Sequence, residues 1–134
     1  MITADTNVLL RLLLNDDKKQ SQAAFDLLSR HQWLLLGTVL LETAWVLQSV
    51  YRADRATVST MLDTVVNLQG CTLESPAMTN IPNWHREGMD IADAVHLALA
   101  SASRCERLAT FDAGFIKKSR GKTVCEVVMP ELGA

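Results

Sequence analysis

Paired cysteines, long apolar runs and a marked excess of one charge are all missing from this 134-residue chain. Cys71, Cys105 and Cys125 are odd in number and show no Cys-x-x-Cys spacing. They speak against a disulfide framework and read as reduced thiols in a cytosolic protein. His31, His85 and His96 combine with them in no zinc spacing. No apolar stretch approaches the roughly 20 residues that span a bilayer, so no membrane association is expected. Asp5 interrupts the first apolar run and Arg11 follows, so no signal peptide is expected and the expected location is cytoplasmic. Internal repeats, low-complexity tracts and linkers are missing too, so residues 1–134 are expected to form a single domain. The five methionines and three tryptophans form no stripe that reads as a cofactor box.

What is present suffices for a core. Apolar residues make up 49% of the chain, which fits a compact globule and excludes disorder. The formal net charge of −2 does not announce a nucleic-acid binder, but its distribution is uneven. Residues 104–122 carry Arg104, Arg107, Lys117, Lys118, Arg120 and Lys122 against Glu106 and Asp112, a net of +4 that leaves −6 elsewhere. A basic C-terminal rim beside an acidic remainder suits a phosphate backbone, although a solvated surface would look the same.

Residues 1–4 are short, apolar and extended in character, and they end at Asp5-Thr6-Asn7. A leucine-rich helix is predicted over Val8–Leu14. Asp16-Asp17 open a second helix to about Arg30, with Ala23, Ala24, Leu27 and Leu28 on its apolar side. Trp33–Leu36 reads as a strand ended by Gly37. Thr38 is expected to cap a helix over Val39–Tyr51, apolar almost all round and so either central or shared with a partner. Asp54 caps a helix to about Leu68, Gly70 ends it, and Cys71–Leu73 is a brief strand. In Pro76–Glu87, Pro82 predicts a kink, or a helix beginning near Pro82 with Asn80 as its cap, and Gly88 stops it. Asp90 caps a buried helix rich in alanine; Leu108–Phe111 and Val124–Val128 are strands, and Pro130 stops the last.

Short apolar strands alternating with helices predict an α/β fold with a mainly parallel sheet covered on both faces. Such sheets place their chemistry at the carboxyl ends of the strands. Asp5 and Asp112 fall at that end, as does Thr38, which leads into the helix carrying Glu42. Asp93 lies one turn into the alanine-rich helix, on the face of Asp90. Each has a plainer reading: Asp5, Asp90 and Asp112 stand where helix caps stand, Glu42 could pair with an arginine, and Asp93 could serve the helix dipole. His96, three residues after Asp93, is read as a histidine packed on that helix, with a ligand or proton-transfer role as the alternative. If the crevice argument holds, Asp5, Glu42, Asp93 and Asp112 converge. Close carboxylates repel unless one stays protonated or a cation joins them. An all-oxygen donor set selects Mg²⁺, Mn²⁺ or Ca²⁺, and the natural chemistry is hydrolysis at phosphorus.

Four stretches carry a resemblance: Ile2-Thr3-Ala4-Asp5-Thr6-Asn7-Val8-Leu9, Thr38-Val39-Leu40-Leu41-Glu42, Asp90-Ile91-Ala92-Asp93-Ala94-Val95-His96-Leu97-Ala98 and Leu108-Ala109-Thr110-Phe111-Asp112. In order and spacing the chain resembles PIN domains, and in particular the VapC-type toxins of bacterial toxin–antitoxin pairs. The resemblance implies a three-layer α/β/α sandwich and endonucleolytic cleavage of RNA with Mg²⁺ or Mn²⁺. It makes Asp5, Glu42, Asp93 and Asp112 the catalytic, metal-binding acids. Asp90 becomes an auxiliary acid or a cap, and Thr6, Asn7, Thr38 and Thr110 become groups that support the carboxylates. It also implies a homodimer and a small cognate antitoxin, for which the Val39–Tyr51 helix and exposed aromatics such as Trp33 or Trp45 would serve as interfaces. Lys117, Lys118, Arg120 and Lys122 are the expected phosphate contacts to RNA. Pro82 departs from the regular helix usual at this point of the family.

Two other readings compete. A phosphatase or phosphoacceptor domain would also use an aspartate at a strand end, but the first wants Asp-x-Asp where Asn7 stands, and the second wants adjacent acids there. A non-catalytic interaction module with a PIN fold would use the apolar helix and keep the acids as caps.

Overall fold

The computed structural model describes residues 1–132; the last two residues of the expected 1–134 domain lie outside the described residues. The chain divides into two compact units, Met1–Glu74 and Ser75–Ala134.

The first unit contains β1 (Ile2–Thr3), α1 (Thr6–Leu14), α2 (Lys18–Arg30), β2 (Trp33–Leu35), α3 (Gly37–Ser49), α4 (Arg55–Val66) and β3 (Cys71–Leu73). Its strands pair in the order β1-β2-β3, all parallel, with Ile2 opposite Trp33 and Leu34 opposite Thr72. Parallel neighbours need crossovers, and helices supply them: α1 and α2 link β1 to β2, and α3 and α4 link β2 to β3. α1 packs on α2 and α3, and α3 packs on α4. Leu9, Leu35, Leu40, Leu47, Val58 and Leu62 are fully buried in these elements. Each such side chain contributes roughly 1.5–3 kcal/mol of transfer free energy.

Several expectations are corrected here. Trp33, on the middle strand of its sheet, is buried (1% exposed) and offers no surface to a partner. Its indole Nε1 is the one buried side-chain N or O atom without a hydrogen-bond partner among the described residues. Ala23 and Leu27 are exposed, and α2 buries Ser21, Ala24 and Leu28 instead. Thr38 does not cap α3. That helix begins one residue earlier, at Gly37, whose N–H donates to Glu74 Oε1 (2.9 Å). α3 buries Leu40, Thr43, Ala44 and Leu47, while Trp45 on it and Val50 and Tyr51 just after it are exposed. Thr43, polar and fully buried, returns its hydroxyl to the Val39 carbonyl (2.7 Å).

The second unit holds a 3-10 turn (Pro76–Asn80), α5 (Ile81–Arg86), α6 (Ile91–Ala102), β4 (Arg107–Ala109), α7 (Ala113–Ser119) and β5 (Glu126–Val128). β4 and β5 pair in parallel. Pro82 falls in the first turn of α5, where its missing N–H leaves no bond unmade, so the interruption read from the sequence takes the form of a new helix start. Asn80 stands at the cap position but makes no side-chain cap bond. α6 packs against the 3-10 turn and α5, and α7 packs against β5. α6 buries Ile91, Ala94, Val95, Leu97 and Ala98, which fits the burial expected of its small residues. β4 ends at Ala109, so Thr110 and Phe111 belong to the following loop, with Phe111 exposed. In both units the α/β class and the parallel pairing are as expected.

No helix among the described residues is long and apolar enough to cross a membrane. The three cysteines are unpaired, and burial pushes the Cys71 thiol up to about 11.

Candidate active site

Three of the singled-out aspartates do hold helix N-termini. Asp5 precedes α1 and its Oδ1 accepts from the Val8 N–H (3.3 Å). Asp90 precedes α6 and its Oδ1 accepts from Ala92 N–H (2.9 Å) and Asp93 N–H (3.4 Å). Asp112 precedes α7 and its Oδ1 accepts from Phe115 N–H (3.1 Å). In each case the cap bonds go to one carboxylate oxygen, and the other makes none of them. Capping and a second role are therefore compatible on the same side chain.

In the first unit, Asp5 is exposed, Thr6 behind it is buried and Asn7 is exposed. Glu42 is exposed on α3, one turn past its start, and Thr38 is exposed at that start. This unit also contains a cavity of about 430 Å³ lined by Leu12, Phe25, Leu28, Arg30, His31 and Trp33 among others. None of its lining residues is acidic, so it offers no carboxylate to a cation.

The second unit gathers more of the expected chemistry. Asp90, Asp93 and Asp112 line one cavity of about 200 Å³, together with Gly88, Phe115 and Lys118. Phe115 is buried and anchors α7 beneath Asp112. Thr110 is half-buried, and its hydroxyl accepts from the Asp112 backbone N–H (3.1 Å), so it orders the loop that presents that carboxylate. The Asp93 carboxyl is raised above its ordinary value, first by burial, then by the neighbouring charges of Asp90 and Asp112; His96 opposes this weakly. His96 itself is exposed, which corrects its reading as a packed residue.

With side chains as they stand, no three His, Cys, Asp or Glu residues within either unit are grouped so as to hold a metal ion, among the described residues. The donor chemistry of the cavity nevertheless fits a hard divalent cation. Its acids offer only oxygen, and the Asp93 carboxyl is raised by burial and then by the charges of Asp90 and Asp112, the part of the shift that a cation relieves.

The four expected basic residues separate. Lys122 is tied to Glu87 in an ion pair. Lys117 and Arg120 are exposed and do not line the cavity, while Lys118 does. Two structural contributors were not read from the sequence. Glu74 caps α3 from 37 residues away, beyond any local signal. Gly88 was read only as a helix stop; its φ of +111° and the lysine lying across it belong to the cavity wall.

Comparison with known proteins agrees with this arrangement of elements. No curated protein matches the chain. A family profile described as PIN domain matches residues 2–121, from the first strand through α7. PIN domains are in general metal-dependent nucleases that act on RNA. A match over that share of the sequence decides the family: the chain belongs to the PIN domain family.

Proposed function

We propose that this protein is a Mg²⁺- or Mn²⁺-dependent endoribonuclease of the VapC toxin type, with Asp5, Glu42, Asp93 and Asp112 as its metal-binding acids. The observation that carries the reading is the cavity shared by Asp90, Asp93 and Asp112, in which the Asp93 carboxyl is raised by burial and by its two acidic neighbours. A carboxyl raised by burial and by specific charged neighbours within a cavity is a candidate functional group. Asp5 and Glu42 join the assignment on their place in the sequence motifs, after β1 and at the start of α3.

When bound, the divalent ion supplies Lewis acidity for water activation and neutralises charge on the phosphate. The chain's own residues do the rest. Asp93 and Asp112 present carboxylate oxygens, and Asp90 holds the first turn of α6, and with it the Asp93 backbone, in place. The Thr110 hydroxyl orders the turn before Asp112. Basic residues on and after α7, Lys117, Lys118 and Arg120, take phosphates of the strand, which makes binding weaken with salt. We further propose a homodimer through the exposed apolar groups Trp45, Val50 and Tyr51, a small antitoxin as inhibitor, and a cytoplasmic setting that suits the unpaired cysteines.

The interaction-module reading is favoured by one observation, that Asp5, Asp90 and Asp112 each make a cap hydrogen bond. Manganese titration by calorimetry separates the two. Binding by the parent that is lost in Asp93→Asn supports the nuclease, and no binding by the folded parent supports the module.

A further inference from the structure

We propose that Lys118 contacts an oxygen of the scissile RNA phosphate, with its side chain held across the bare backbone of Gly88; this rests on the nuclease reading of the same cavity.

Lys118 is the one lysine or arginine lining the cavity that holds Asp90, Asp93 and Asp112. Its ammonium donates to the Glu87 carbonyl at 3.4 Å, a long bond that leaves most of its donor capacity open. The neighbouring cation, Lys122, is instead engaged by the Glu87 carboxylate. Glu87 thus neutralises one lysine through its side chain and guides the other only through its backbone.

Gly88 leaves room for this approach. A Cβ at this position would stand 2.9 Å from Lys118 Nζ and 3.4 Å from Cε, so the side chain lies directly over the glycine backbone. On the other side Phe115, three residues before Lys118 on α7, is buried and fixes the helix from which the lysine extends. Lys118 therefore shares the cavity with the carboxylates, whereas Lys117 and Arg120 project from the same segment without lining it.

The test uses a fluorescein-labelled single-stranded RNA. Anisotropy in chelator gives affinity and its salt dependence, and cleavage in Mn²⁺ gives kcat and KM. Lys118→Met is expected to weaken binding roughly 5- to 10-fold at low salt and to reduce the salt slope by about 0.7, the value of one phosphate contact on a single strand. Lys118→Arg is expected to restore most of the binding, and Lys19→Met, an exposed lysine of α2 in the first unit, to cost about 2-fold or less. Equal losses in Lys118→Met and Lys19→Met, or no recovery in Lys118→Arg, overturn the proposal. A parent that cuts RNA while Lys118→Met cuts and binds equally well overturns the lysine contact alone. A parent that binds RNA through Lys118 but cuts none overturns the nuclease reading and with it the scissile position, leaving a phosphate contact alone.

Discussion

Asp90 grips the backbone of Asp93 and at the same time disfavours its charge. Its Oδ1 accepts from the Asp93 N–H at 3.4 Å, which starts α6, and its negative charge is one cause of the raised Asp93 carboxyl, second to burial. The cap that builds the helix therefore also loads the carboxylate the helix carries.

A stability prediction follows for the metal-free protein. The folded-state pKa of Asp93 lies above its unfolded value, so ionising it weakens the fold. The penalty is absent below the ordinary carboxylate value of about 4, grows as pH rises toward the folded value, and is complete above it. In chelator, Asp93→Asn should melt higher than the parent at neutral pH, and the gap should close in acid. A gap that is absent at neutral pH, or widens in acid, contradicts the assigned cause.

Asp54 behaves in the opposite sense. Hydrogen bonding to Thr57 holds its carboxyl below the usual range, and its Oδ1 accepts from the Thr57 N–H at 2.8 Å to cap α4. Its contribution is present above the unfolded value and is lost as pH falls through the folded value. Asp54→Ala should lower the melting midpoint at neutral pH, with a difference that shrinks in strong acid. An unchanged midpoint at neutral pH would remove the cap from the account of α4.

Gly70 ends the α4 connection with φ +83°, and a Cβ there would meet the His31 carbonyl oxygen at 3.1 Å. Gly70→Ala should destabilise by about 1–2 kcal/mol from backbone conformation alone. Leu47→Ala, removing a fully buried side chain of α3, should cost about 2–5 kcal/mol. Denaturant midpoints test both, and a smaller loss at Leu47 than at Gly70 would contradict the packing described for α3.

Trp45 is 57% exposed on α3 while Leu40, Ala44 and Leu47 of that helix are buried. A homodimer through this surface predicts that Trp45→Glu shifts the mass measured by light scattering from dimer to monomer and leaves the melting curve of the monomer cooperative. A parent that is monomeric at all concentrations contradicts the dimer.

Short-range chemistry was the most legible part of this sequence. The caps Asp5, Asp17, Asp54, Asp90 and Asp112 all accept from an N–H two or three residues on, so a single residue type at a boundary is enough to read them. Parallel pairing followed from alternating strands and helices. What escaped depends on distant partners. Glu74 rather than Thr38 satisfies the start of α3 because β3 brings it beside β2. Trp33 is buried with Gly70, distant in sequence, beside its indole, which composition does not reveal. Lys118 differs from Lys117 only in which way a helix residue faces, and the missing Cβ of Gly88 acquires meaning only once that lysine lies over it.

The most direct measurement is cleavage of a mixed RNA pool by the purified protein in Mn²⁺, with chelator, Asp93→Asn and Asp5→Asn/Asp93→Asn in parallel. Cutting by the parent that disappears in chelator and falls at least about 100-fold in Asp93→Asn is the predicted result, a loss of about 2.7 kcal/mol of transition-state stabilisation. Cutting that persists in the double variant would contradict the assignment of these carboxylates to the active site.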